Sequence, residues 1–140
     1  MKFPYIKLPS LDPKLKWIAR PYIPIRIIGS NGFWEGYGLI DSGADRSLFN
    51  IQIAEKIGLD STGGSFENFG GIEGGELKAY LHEVKIKIIG MDKEINIKVG
   101  FINSTGVAAI LGQDGFFDAF RIKFEKDHGI VEITPVKTHL

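Results

Sequence analysis

Cysteine is absent from this 140-residue chain. That excludes disulfide staples, thiolate metal sites and a cysteine nucleophile, and leaves either redox compartment open. Excess charge is missing too, because seventeen basic and seventeen acidic side chains sum to a formal net charge of zero. No global field therefore draws nucleic acid or anionic lipid. No lysine or arginine run exceeds two neighbours, and Lys85 and Lys87 flank Ile86 as on a wet strand face. Long apolar runs are lacking, with nothing near the roughly 18 residues of a membrane span. Met1 to Ser10 carries two prolines and two lysines and does not read as a signal peptide. The plain reading is a cytoplasmic protein whose partners include neither nucleic acid nor membrane. Histidine is sparse: His82, His128 and His139 are far apart and lack ligand spacing, so no metal or other cofactor is expected.

What is present is an ordinary globular composition, 44% hydrophobic and 24% charged, in a chain sized for one domain. Pro4, Pro9 and Pro13 make residues 1–20 an arm laid over the surface more than a helix. The remainder, 21–140, is expected to be the folded domain. Tyr22 to Ile28 and Phe33 to Ile40 read as strands joined by Gly29-Ser30-Asn31-Gly32. Asn50 is a helix N-cap, Ile51, Ala54 and Ile57 share one helical face, and Gly58 stands at the C′ position. Lys78 to Ile89 alternates, turns at Gly90-Met91-Asp92, and continues through Ile95, Ile97, Val99 and Phe101. Val107 to Leu111 is a short strand, Asp114 to Phe117 a single helical turn, and Phe120 to Phe124 and Ile130 to Ile133 are further strands. Many short strands, one short helix and no βαβ rhythm predict an all-β, barrel-like fold.

Chemistry is concentrated in Gly38-Leu39-Ile40-Asp41-Ser42-Gly43-Ala44-Asp45, an apolar strand ending in a carboxylate, a small hydroxyl and a glycine. Gly43 permits a tight backbone that would present Asp41 to a cleft. The same residue types also build an ordinary Asx-turn, in which Asp41 merely accepts from nearby backbone N–H groups. Two other segments bear on that choice. Gly63-Gly64, Gly70-Gly71 and Gly74-Gly75 surround Phe69 and Ile72 and precede an alternating strand. No Gly-Lys-Ser/Thr follows and no helix comes next, so this is no phosphate cradle. Late in the chain, Ala109-Ile110-Leu111-Gly112 is an apolar strand closed by glycine.

Taken in order, these three segments resemble the retroviral-type (retropepsin-like) aspartic peptidases, over roughly residues 22–133. In that family an Asp-Ser/Thr-Gly-Ala/Ser motif carries the catalytic acid, here Asp41-Ser42-Gly43-Ala44. A glycine-rich hairpin forms a flap, here Gly70, Gly71, Ile72, Glu73 and Gly74, and an apolar-apolar-Gly strand braces the acid, here Ile110, Leu111 and Gly112. The resemblance implies a closed barrel that is one half of a two-fold dimer and an endopeptidase hydrolysing extended peptides. It implies Asp41 as catalytic residue, Ser42 and Gly43 as supports of the dyad, and Gly43, Ala44, Asp45 and the flap residues 70–74 as substrate contacts. The chain carries one such motif: Asp60-Ser61-Thr62-Gly63 has an extra residue, and Asp114-Gly115 opens the expected helical turn. A homodimer would supply the second carboxylate.

Two positions depart from the viral pattern. Glu73 replaces a usual flap glycine, so two glutamates would repel at the axis of a closed dimer, favouring open flaps at neutral pH or a basic substrate side chain. Gln113 stands where an arginine often pairs with the counterpart of Asp45, which implies a weaker dimer. The competing functions are a non-catalytic dimeric peptide-binding module of the same fold and a small barrel that binds a ligand under a glycine lid. No Gly-x-Ser-x-Gly elbow supports a serine nucleophile.

Overall fold

The computed structural model describes residues 1–70, 76–104, 106 and 108–137, of which 69–70 and 76–77 are described in backbone only. The chain runs β1 (Lys2–Pro4), β2 (Ile6–Pro9), β3 (Trp17–Arg20), β4 (Tyr22–Gly29), β5 (Gly32–Ile40), β6 (Leu48–Asn50), α1 (Ile51–Lys56), β7 (Phe66–Gly70), β8 (Glu76–Ile88), β9 (Glu94–Ile102), β10 (Ala109–Leu111), β11 (Phe120–Glu125) and β12 (Ile130–Pro135).

Alternation decides which side of each strand is buried. Ile23, Ile25 and Ile27 of β4, Val84, Ile86 and Ile88 of β8, and Ile95, Ile97 and Val99 of β9 enter one core with Phe49, Phe101 and Leu111. Their intervening neighbours are polar or half-exposed, as the two-residue period requires. Each fully buried isoleucine is worth about 1.5–3 kcal/mol relative to exposure, so a one-residue slip of any long strand would be prohibitive.

Hydrogen bonding closes these strands into a ring. The order β4-β5-β10-β6-β9-β8 returns to its start because β8 also pairs with β4, from Ile25↔Ile88 to Ile28↔Lys85. The result is the expected all-β, six-stranded closed barrel, with β7 extending it outward from β8. The short helix is also as expected: the Asn50 side chain accepts from the Gln52 N–H at 2.9 Å, and Gly58 ends the helix at φ +77°. Its C-terminal end supports the β4–β5 turn, where the Asn31 N–H donates to the Ile57 carbonyl.

Outside the barrel, β1, β12 and β11 form a second sheet, and β2 and β3 form a separate hairpin registered from Ile6↔Arg20 to Pro9↔Trp17. The first twenty residues thus hold three short strands. Their prolines fall at the strand ends Pro4 and Pro9 and in the connection at Pro13, where a missing N–H breaks no central ladder. The turn expected at Asp114 to Phe117 spans Gln113–Phe117 and is kinked, with Asp114 extended and Gly115 at φ +85°. Its backbone is drawn out of helical geometry because the Asp114 N–H donates to Asp45 O at 2.7 Å and the Gly115 N–H to Asp118 Oδ2 at 2.9 Å.

Candidate active site

β5 and β6 are consecutive in sequence, yet they are not neighbours in the sheet. β10 lies between them, parallel to β5 (Ile110↔Leu39, Leu111↔Ile40) and antiparallel to β6 (Ala109↔Phe49, Ile110↔Leu48). The loop of residues 41–47 must therefore arch over the end of β10, while the chain leaving β10 passes beneath it. Asp41 opens that loop.

Backbone bonds fix the crossing. The Asp41 N–H donates to Leu111 O at 2.9 Å, extending the parallel ladder by one step, and the Gln113 N–H donates to Ala44 O at 2.8 Å. Gly112 is the point of closest approach: a Cβ there would lie 2.6 Å from Ala44 O and 2.9 Å from Arg46 C and O. Its own N–H donates to Ser47 Oγ at 3.0 Å, and Ser47 is fully buried. Gln113 adds a side-chain bond, Nε2 to Ser42 O at 2.8 Å. This position thus ties down the loop of its own chain, a use that the sequence reading did not foresee.

Within the loop, Asp41 Oδ1 accepts from the Gly43 N–H at 2.9 Å and the Asp41 carbonyl accepts from the Ala44 N–H at 3.2 Å. The Asx-turn alternative is thus realised, and it occupies one carboxylate oxygen. Oδ2 has no protein hydrogen bond among the described residues. Gly43 does not use its conformational freedom, since it is not among the positive-φ glycines. What it contributes is a missing side chain, because a Cβ there would stand 3.3 Å from Asp41 Oδ1. Asp41 and Ala44 are partly exposed, and Ser42, Gly43 and Asp45 are exposed. One face of the turn is thus open to a reactant.

Arg46 was not singled out from sequence. It forms an ion pair with Glu67 on β7, and its side chain is only 19% exposed, so the loop is tethered to the β7–β8 hairpin. That hairpin pairs Phe66–Gly70 with Glu76–Tyr80. Gly70 is its last described residue before the tip; the expectations placed on Gly71, Ile72, Glu73 and Gly74 lie outside the described residues. Asp60 forms an independent turn, with Oδ1 accepting from the Thr62 N–H and hydroxyl. His82 packs at a tilt against Phe101 and meets Ser61 O at 3.1 Å, which gives it a packing role. Among the described residues no three His, Cys, Asp or Glu side chains cluster as a metal site.

The wall beside Asp41 is apolar. Tyr22, Leu39, Ala108 and Ile110 line a recess of about 120 Å³, and Leu39 precedes Asp41 by two residues, which puts them on one face of the strand line.

The sequence matches no protein-family model and no curated protein. The fold does match solved structures. A retropepsin-like aspartic protease from Rickettsia conorii aligns with a TM-score of 0.60 and 21% identity over 81% of this chain and 89% of that one. The retroviral protease-like domain of Ddi1 from Leishmania major aligns at 0.58 and 19% over 85% and 91%. The chain has the retropepsin-like fold.

Proposed function

We propose that this chain is one half of a homodimeric aspartic endopeptidase, with Asp41 of each subunit forming the two-carboxylate centre. The observation that carries the reading is the placement of Asp41. It stands at the crossing of loop 41–47 over β10, held by Leu111 O through its backbone and by the Gly43 N–H through Oδ1. A carboxylate fixed from behind and open in front is oriented before substrate arrives, which is what general acid–base chemistry needs.

Two such groups close together cannot both ionise, so they share one proton. The ionised member takes a proton from water as the water oxygen bonds to the scissile carbonyl carbon, and the protonated member gives its proton to the carbonyl oxygen. The resulting gem-diol collapses when a proton returns to the amide nitrogen and the C–N bond breaks, leaving a carboxyl and an amine. Ser42 and Gly43 support the pair, while Gly43, Ala44 and Asp45 line the peptide's path. Ile110, Leu111 and Gly112 hold the acid in place. An extended peptide gains main-chain hydrogen bonds, and alternate side chains enter pockets.

A proteome-derived peptide library digested between acid and neutral pH, beside sedimentation of the same samples, tests the reading. The wild type should be dimeric and cleave, and Asp41→Asn should remain dimeric and not cleave. A binding module would hold peptides without cutting them, equally well with either residue at position 41.

A further inference from the structure

The recess beside Asp41 does not end at the barrel. Tyr22 and Ala108, which line it, also line a larger apolar trough of about 590 Å³ completed by Ile6, Leu8, Trp34 and Tyr37. Ile6 and Leu8 belong to β2, so one bank of this trough is the hairpin that stands outside both sheets. Tyr37 stays 55% exposed at the trough, although an apolar face of this kind would ordinarily be covered. The volume lies within the roughly 300–1,000 Å³ of small-molecule sites and easily admits an aromatic ring.

Position narrows the occupant. Tyr22 pairs with Leu39 and Pro24 with Tyr37, so along β5 the trough begins two residues before Asp41, passes Tyr37 at four and runs on to Trp34 at seven. At about 3.3 Å per residue the part from Tyr22 to Tyr37 lies roughly 7–13 Å from the carboxylate, the reach of two to four residues of an extended peptide. We propose that the β2–β3 hairpin builds a distal subsite selecting substrate peptides with a bulky apolar or aromatic side chain two to four residues from the cleaved bond. The inference rests on the peptidase reading for its occupant. It adds that selectivity resides in Ile6 and Leu8, residues outside the barrel, and that a two-fold dimer repeats the subsite on both sides of the bond.

The test uses the full chain carrying Asp41→Asn, so that binding is read apart from cleavage. Two fluorescent peptides differ only in having phenylalanine or alanine three residues from the central bond. The phenylalanine peptide should bind roughly tenfold more tightly, as expected for burying most of one aromatic side chain. Leu8→Ser, which opens the hairpin bank, and Ala108→Phe, which fills the trough from the barrel side, should each bring the ratio of the two affinities near one. Equal affinities without these changes, or a preference that persists in both variants, overturns the proposal. So does Trp34 emission, read in a Trp17→Phe chain, that responds to protein concentration and not to peptide, since a second copy would then fill the trough. Failure of the unsubstituted protein to cleave any peptide counts against the peptidase reading alone, because the affinity ratio still decides the subsite.

Discussion

Gly112 has no room for a side chain, and what surrounds it is backbone. An added Cβ would press on Ala44 O and Arg46 C and O, atoms that cannot rotate away. Gly112→Ala should therefore lower stability by about 1–3 kcal/mol, the usual cost of forcing atoms into a packed site, and displace Asp41 as the loop yields. Urea denaturation beside the peptide assay checks both effects. Ser47→Ala is the complementary change. It removes the buried Oγ that accepts from the Gly112 N–H, leaving that N–H unsatisfied at a cost of about 1–3 kcal/mol. A loss of unfolding free energy, read from the urea midpoint and slope, smaller than a few tenths of a kcal/mol would mean that the crossing is held by its other bonds.

Between elements, the contact with most leverage is Arg46–Glu67, which joins the loop after β5 to β7. Arg46 is largely buried and its Nε has no hydrogen-bond partner among the described residues, so its charge leans on Glu67. Glu67→Ala should cost more stability than Arg46→Met, because the first strands a largely buried cation and the second removes it. A double-mutant cycle should return a coupling of about 1 kcal/mol, and equal single costs with no coupling would count against the tether. Elements also differed in how legible they were. Long strands such as β4, β8 and β9 could be read because the two-residue alternation repeats in each, and α1 because Asn50 and Gly58 mark its ends. β6 was missed because three residues cannot show a period, and β2 and β3 because prolines in residues 1–20 pointed away from pairing. The site divides the same way. Asp41, Gly43 and Gly112 are visible as a motif, whereas Ser47 and Arg46 matter only through partners 65 and 21 positions away, a separation that no local pattern encodes.

At the scale of the whole molecule, a single barrel presents one such carboxylate, and the proposed chemistry needs two. The central claim is that each subunit of a dimer supplies one Asp41 to a common centre. Mixing wild-type and Asp41→Asn chains in equal amounts, after exchange of subunits and at constant total concentration, tests it directly. If both carboxylates are required, only dimers with two wild-type chains act and cleavage should fall to about a quarter of the all-wild-type rate, the random share of such pairs in a two-fold assembly. A rate near one half, the value for subunits that each work alone, would contradict the account.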